Sequence, residues 1–376
     1  MKQWIWQQIG WSTASYPEFR WSDGLILPKT RLIHQKLGLL LGQTCHDPEQ
    51  TQQSLDTLLA NLVASSAIEN ETLNVYSLRS SLARRLGLSL EQPYASSDRS
   101  EGLANIMLDA LNNVQQPLTV SRLLQWHQWL FNEPDWTMQR LRIGSLRGKE
   151  PMQVVSGRLD RPTIHFEAPP RQGLEAQLDA FIDWFNISRN DPLLDPLIRA
   201  GIAHFWFVTL HPFDDGNGRI TRTLTDLALA QMDSQSIRLY AMSPAILHKR
   251  KSYYDILEQS QQGSLDISHW LEWFLDTLLE AVEQALQRVE NTVRKSRFWQ
   301  HLAQLELHEG QRKVLNRLLD GGENGFAQGI SAAQYQKVAK VSKATATRHL
   351  TDLLEKGCLI KLQGGGRNTR YQVHKP

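Results

Sequence analysis

Apolar positions recur at three- and four-residue spacing along most of the chain, the period of helices buried on one side. LIHQKLGLLLGQ, within 29–43, opens the series. From about Pro48 a second helix carries Leu55, Leu58, Leu59, Leu62 and Val63 at that spacing and runs on to 65–70. The segment up to Ser96 reads as largely helical until Pro93, and Leu123, Leu124, Trp126, Trp129 and Leu130 mark another buried helix. Helices follow at 174–185 and 196–210; the latter, PLIRAGIAHFWFVTL, is apolar nearly all round and is expected at the centre of the core. Further helices are expected from about Asn217 to Met232 and from Ser268 to Val289 or beyond.

Three regions break this period. The first 30 residues, with Trp4, Trp6, Trp11 and Trp21 around Gly10, Pro17 and Gly24, predict a short strand-and-turn element. Between Gly144 and Arg171, VVSGRLDRPTIHFEAPPR sets β-branched residues on both sides of turn formers, as a β-hairpin or flap does. Near the end, short helices at 311–320, 331–339 and 343–356 precede CLIKLQGGGRNTRYQV, which alternates around a glycine tip like a two-stranded wing. The expected fold is mainly α, with a hairpin flap and a C-terminal winged helix-turn-helix. The expected domains are 1–95, with a helix at about 52–70, then 96–300 and 301–376.

Composition narrows the class. With 41% hydrophobic and 21% charged residues over 376 positions, the chain is expected to form globular cores. It has no apolar run of about 18 residues to cross a membrane. MKQWIWQQIGW does not read as a secretory signal. Cys45 and Cys358 fit neither a disulfide framework nor a zinc spacing, so a cytoplasmic setting is expected. The net charge of +2 hides an asymmetry: Gln311–Pro376 holds twelve Lys and Arg against four Asp and Glu. A basic C-terminal module on a mildly acidic body follows.

One stretch concentrates chemistry: His211-Pro-Phe-Asp-Asp-Gly-Asn-Gly-Arg-Ile-Thr-Arg222. Gly216 and Gly218 flank Asn217 at a loop-to-helix junction, where backbone N–H groups lack intrahelical partners and attract phosphates. Arg219 and Arg222 share one face of the first turn. Cations there oppose the helix dipole, which argues for an anionic partner. Asp215 offers a hard oxygen to a phosphate-bound Mg²⁺, and His211 a base that works near neutral pH. A capped helix start with surface-paired arginines explains any one of these residues but not all of them together. The sequence carries no Walker A, HExxH or cysteine-rich metal spacing.

This stretch matches HPFxDGNGRxxR at every specified position, so the chain resembles the Fic family over roughly residues 50 to 290. The resemblance implies a Fic-type helical core and a protein adenylyltransferase. Such an enzyme transfers AMP from ATP to a Ser, Thr or Tyr hydroxyl of a target protein and releases pyrophosphate. It implies His211 as catalytic base and Asp215 as the Mg²⁺ ligand. Asn217, Gly216 and Gly218 would cradle the α- and β-phosphates, Arg219 would meet the β-phosphate and Arg222 the γ-phosphate. Ile220 and Thr221 fall in the same nucleotide-binding segment, and Phe213 is expected to anchor the loop.

Ser65-Ser-Ala-Ile-Glu69-Asn70 is similar to the family's inhibitory motif, [S/T]xxxE followed by Gly or Asn, placed ahead of the core. A Glu69 carboxylate paired with Arg222 would withdraw the guanidinium that orients the γ-phosphate. Thr163, Ile164, His165 and Phe166 fall on the hairpin that clamps nucleotide and aligns the target in the family. Tyr253, Tyr254 and Gln261 fall in the segment flanking the adenine.

The expected partners are ATP and a hydroxyl-bearing target protein, with no membrane; self-modification and a homodimer stay open. Lys340, Lys343, Thr345, Thr347, Arg348, Arg367 and Arg370 could meet DNA phosphates or base edges through residues 311–376, and a protein-docking or dimerisation module is the open alternative for the same segment. The rival reading is a nucleotide-sensing, DNA-binding transcriptional regulator. Removal of AMP assisted by Glu69 is the further alternative within the enzyme class.

Overall fold

The helical period holds along most of the computed structural model, which describes residues 3–11, 16–44, 50–131, 141–158, 161–233, 239–320, 326, 328–362 and 369–374. Cys45 and Arg367 lie outside the described residues. Chain contacts divide it into two units, Met1–Ala285 and Leu286–Pro376.

The first unit runs α1 (Asp23–Thr44), α2 (Gln50–Ile68), α3 (Val75–Arg85), α4 (Asp98–Asn112) and α5 (Val120–Leu130). The hairpin β1 (Gln153–Arg158) and β2 (Arg161–Glu167) comes next, then α6 (Leu174–Ile187), α7 (Pro196–Leu210) and α8 (Asn217–Asp233). After α9 (Met242–His248) and α10 (Arg250–Gln261), the long α11 (Ser268–His301) continues past the unit boundary. Side-chain oxygens cap several of these starts: Asn74 at α3, Ser97 at α4, Thr119 at α5, and Asp195 ahead of Pro196 at α7. The run expected at the centre, α7, is buried from Leu197 to Leu210 and packs on α8. Trp270 of α11 donates its indole N–H to the Gly201 carbonyl at 2.9 Å. A Cβ at Gly201 would press on Leu271 and Phe274, so the glycine permits this close approach.

β1 and β2 pair antiparallel, with Val154 opposite Phe166, a bulge after Val154, and Val155 opposite Ile164. The bulge shifts which face each residue presents beyond Phe166.

The second unit comprises the end of α11, α12 (Glu309–Asp320), β3 (Ile330–Ser331), α13 (Ala332–Ala339), α14 (Lys343–Glu355), β4 (Leu359–Lys361) and β5 (Arg370–Val373). Its antiparallel sheet has the order β3-β5-β4. Val314, Leu315, Tyr335, Leu350 and Leu353 form its core. Among the described residues no helix is long and apolar enough to cross a membrane.

Two expectations about the N-terminal region need correction. Among the described residues of the first 30 no strand forms: a 3-10 turn at Ile5–Gln7, the start of α1 at Asp23 and an isolated bridge from Arg20 to Asp266 stand there instead. The tryptophan spacing serves anchoring instead. Trp4 packs edge-on against Phe166, and Trp6 donates its indole N–H to the Glu167 carbonyl at 2.7 Å. The helix after residue 70 stops at Arg85, well before Pro93, because Gly87 adopts a left-handed conformation (φ +72°) that lets Leu88 N–H return to the Ala83 carbonyl.

Candidate functional site

The loop from α7 to α8 starts at His211, whose backbone is left-handed (φ 50°, ψ 57°). Its N–H reaches the Phe207 carbonyl at 3.2 Å, so the chain turns sharply off the end of α7. Nδ1–H points to the Val208 carbonyl at 3.1 Å, which leaves Nε2 with its lone pair. Burial lowers the His211 pKa and the Arg147 charge adds to that, against the Val208 bond and the Glu69 and Asp215 carboxylates; the imidazole is neutral at pH 7. Phe166 of the flap lies 6.5 Å from it, centroid to centroid.

The Asn217 side chain closes the loop on itself. It accepts from Phe213 N–H at 2.9 Å and donates to the Phe213 carbonyl at 2.8 Å. The amide of Asn217 thus braces the loop with its oxygen and one of its two N–H groups, just ahead of the first turn of α8. Phe213 is fully buried and stacks on His127 at 4.3 Å, the anchoring expected of it. His127 fixes the loop further: Nε2–H donates to the Asp215 carbonyl at 3.2 Å, and Nδ1 accepts from Gly144 N–H. The Asp215 carboxylate is 54% exposed at the loop mouth.

The arginines are already engaged by acids. Arg222, with a side chain 3% exposed, donates Nη2–H to Glu69 at 2.8 Å and to the Ser65 carbonyl, and Nε–H to the Ser65 hydroxyl. Burial pushes the Glu69 carboxyl up, but the charges of Arg222 and Arg219 and the Arg222 hydrogen bond outweigh it and hold the pKa below the ordinary glutamate value. A Cβ at Gly218 would collide with Glu69, so this glycine makes room for the acid. Arg219 donates Nη1–H to both carboxylate oxygens of Glu71, at 2.6 and 2.7 Å, and Arg99 holds Glu71 from its other side at 2.7 Å. Asn70, left-handed at φ 61°, turns the chain between the two acids. Arg219 Nε and Arg222 Nη1 are buried without a hydrogen-bond partner among the described residues, so donors remain for an incoming anion.

The other expected residues divide. Ile220 and Thr221 are buried in α8, Thr221 bonded back to the Asn217 carbonyl, and both serve packing. Thr163 is exposed on β2, Ile164 is half-buried, and His165 donates Nδ1–H to Glu258 at 2.7 Å, tying flap to α10. Tyr254 reaches the site, giving its hydroxyl to Glu69 at 3.2 Å; burial pushes its pKa up to about 12, and the Glu69 charge adds to that. Tyr253 does not line a cleft: it is 1% exposed, with its hydroxyl on His204 and its ring among Trp270 and Trp273. Gln261 is buried too, donating to Thr209 of α7. The paired tyrosines are thus split between core and site by helical rotation.

This loop geometry coincides with the family signature. Residues 117–229 match the Fic/DOC family. The chain carries a Fic domain. His211 to Arg222 lie inside it, whereas Glu69 and Glu71 lie in residues 4–88, which match a domain of unknown function (DUF4172). Over 118 residues the chain is 33% identical to "Protein adenylyltransferase Fic" of Nematostella vectensis, covering 31% of this chain and 26% of that protein. Over 225 residues it is 25% identical to "Protein adenylyltransferase fic-1" of Caenorhabditis elegans, covering 58% and 40%. The chain thus spans well under two thirds of these relatives' length. The fold is similar to that of a Fic family protein from Desulfovibrio desulfuricans G20, with a TM-score of 0.55 and 19% identity over 95% of this chain and 98% of that one.

Glu71, His127 and Arg147 escaped the reading of the sequence. Glu71 had a signal, a second acid two positions after Glu69. Arg147, which holds the His211 carbonyl at 2.9 Å, had none within the motif.

Proposed function

We propose that this chain is a protein adenylyltransferase held at rest by acids at the end of α2. The observation that carries the reading is an intact His211–Arg222 loop whose Arg222 is occupied by Glu69. The names of the matched relatives support the reaction class. In the transfer, His211 Nε2 takes the proton of a target hydroxyl. The hydroxyl oxygen bonds to the α-phosphorus of ATP, and the bond to the bridging oxygen breaks to release pyrophosphate. The first-turn N–H groups of α8, Arg219 and Arg222 orient and neutralise the triphosphate. β2 of the flap offers its edge to the target.

The donor set fits Mg²⁺. Among the described residues no group of three His, Cys, Asp or Glu forms a metal cage. An ion held by Asp215 with phosphate oxygens and water is the arrangement Mg²⁺ favours. Bound there, it would offset phosphate charge.

Glu69 and Glu71 set the resting state by competing with phosphate for the arginines. With both in place, ATP is held with its γ- and β-phosphates displaced, and the α-phosphorus is misaligned for attack. Incubation with ATP labelled on the α-phosphate tests this: Glu69→Gly should label protein, itself included, well above the parent. Label no higher than the parent in a folded Glu69→Gly protein sinks the inhibition. Reversible ATP binding with no covalent label in any variant favours the nucleotide sensor instead.

For Leu286–Pro376 we infer a winged-helix DNA contact. The helix pair α13–α14 with a three-stranded sheet, and exposed Lys340, Lys343, Thr347 and Arg348, favours it. A band shift at low salt that disappears when residues 306–376 are deleted is the expected result.

A further inference from the structure

Arg147 is a buried cation that the transfer reaction, as proposed above, does not use. It is 2% exposed, and its guanidinium turns to carbonyls: Nε–H donates to the His211 carbonyl at 2.9 Å and Nη2–H to the Pro169 carbonyl at 2.5 Å. Its own N–H binds the Pro212 carbonyl at 2.9 Å. Its carbonyl accepts from Arg171 Nε at 2.8 Å, and Arg171 forks onto Glu175 of α6. Burying a cation on neutral acceptors is costly, and such arrangements cluster at functional sites. Burial pulls its pKa down to about 10, Arg171 pushes the same way and Asp214 opposes, so the charge persists at neutral pH.

Both carbonyls matter by position. His211 holds a left-handed backbone that L residues rarely adopt, so its conformation needs tethers. Phe207 and Val208 of α7 tie its N–H and ring, and Arg147 ties its carbonyl. Pro169 follows Ala168, whose N–H binds the Met152 carbonyl at the root of the hairpin.

We propose that Arg147 is a positioning residue for AMP transfer, locking the His211 backbone to the root of the flap so that base and target-presenting strand keep one geometry. This rests on His211 being the base. A second consequence is electrostatic. Of the charged groups facing His211, Glu69 and Asp215 favour its protonation and Arg147 opposes it. Losing the cation makes the imidazole easier to protonate.

The test compares Arg147→Met and Arg147→Lys in the Glu69→Gly protein. For Met, kcat should fall by about 10²-fold, the scale of a small misplacement, while KM for ATP stays within about threefold. The acid limb of kcat/KM should move to higher pH, because the base works only when neutral. Lys, which keeps the charge but offers one nitrogen in place of the planar fork that Arg147 sets on two carbonyls through Nε and Nη2, should restore the limb and recover only part of kcat. A purely structural role would lower the thermal midpoint and move neither. Parental kcat and pH limb in Met, or full kcat in Lys, overturns the proposal. NMR titration of the His211 imidazole provides a readout without turnover, with an upward shift expected in Met and an unchanged curve counting against it. Should Glu69→Gly itself transfer nothing, the transferase reading fails, and the titration still decides the role of Arg147.

Discussion

Two helix starts in this chain carry cations and treat them in opposite ways. At α8, Arg219 and Arg222 have side chains 6% and 3% exposed, and each rests on a carboxylate from the turn after α2. At α14, Lys343 and Arg348 are exposed and form no ion pair among the described residues. Both starts follow a non-glycine residue in the left-handed region, His211 and Lys340. The backbone device is therefore shared, and the difference lies in burial. A buried pair that loses one partner leaves a charge uncompensated at a cost of about 3–5 kcal/mol. Removing the acid at α8 would thus expose a strong demand for an anion, as the proposed switch requires. In the DNA contact proposed for α14, exposed charges would act weakly and collectively through screened attraction, giving graded, salt-dependent binding.

The largest effect is expected on the chemistry that the proposed switch would control. His211→Ala, in the Glu69→Gly protein, should lower AMP transfer by roughly 10²–10⁴-fold. ATP affinity, measured by calorimetry, should barely move, because the side chain faces the proton and not the phosphates. Retained transfer would show that a group other than His211 takes the proton.

Next comes the pair itself. Glu69→Gly should raise labelled AMP incorporation by about 10–10²-fold. Arg222→Ala should weaken ATP binding and erase that gain, since both changes act through one contact and are not additive. An equal gain from Glu69→Gly with and without Arg222 would show that Glu69 acts elsewhere.

Glu71 sharpens the comparison, because its pair with Arg219 would gate a second arginine in the same proposed way. Glu71→Ala alone should change transfer little while Glu69 still occupies Arg222. Added to Glu69→Gly it should tighten ATP binding and raise transfer by a further factor of about 10, the low end of what a hydrogen bond to a charged group is worth. A fall in transfer would assign Glu71 the opposite role, aligning Arg219 with the help of Arg99.

Much of this was legible in the sequence. The helices around the site announced themselves through apolar spacing, and the loop through its glycines and arginines. The Glu69–Arg222 pair followed from two motifs 153 positions apart. What stayed hidden depended on rotation and reach. Tyr253 and Tyr254 are neighbours whose fates differ because consecutive helical residues point about 100° apart. Asn217 reads only as a phosphate ligand, and the sequence gives no sign that its amide also closes on Phe213 and braces the loop. Trp4 and Trp6 alternate like a strand, yet they pack on the flap, a partner about 160 positions away along the chain.

The smallest effect tests the exposed side of the comparison. If Lys343 and Arg348 meet DNA phosphates independently, each contributes its own released counterion. Plots of log affinity against log salt should then be linear for the full chain. Arg348→Ala should reduce the slope by about 1 and weaken binding similarly on every sequence. Lys343→Ala should act alike, and the two changes should add, since exposed charges lack the shared contact that couples Glu69 to Arg222. Strong non-additivity between Lys343 and Arg348, or a slope unaffected by either, would show that the α14 cations behave as a structured site like that at α8, and the contrast between graded and gated charge would fall.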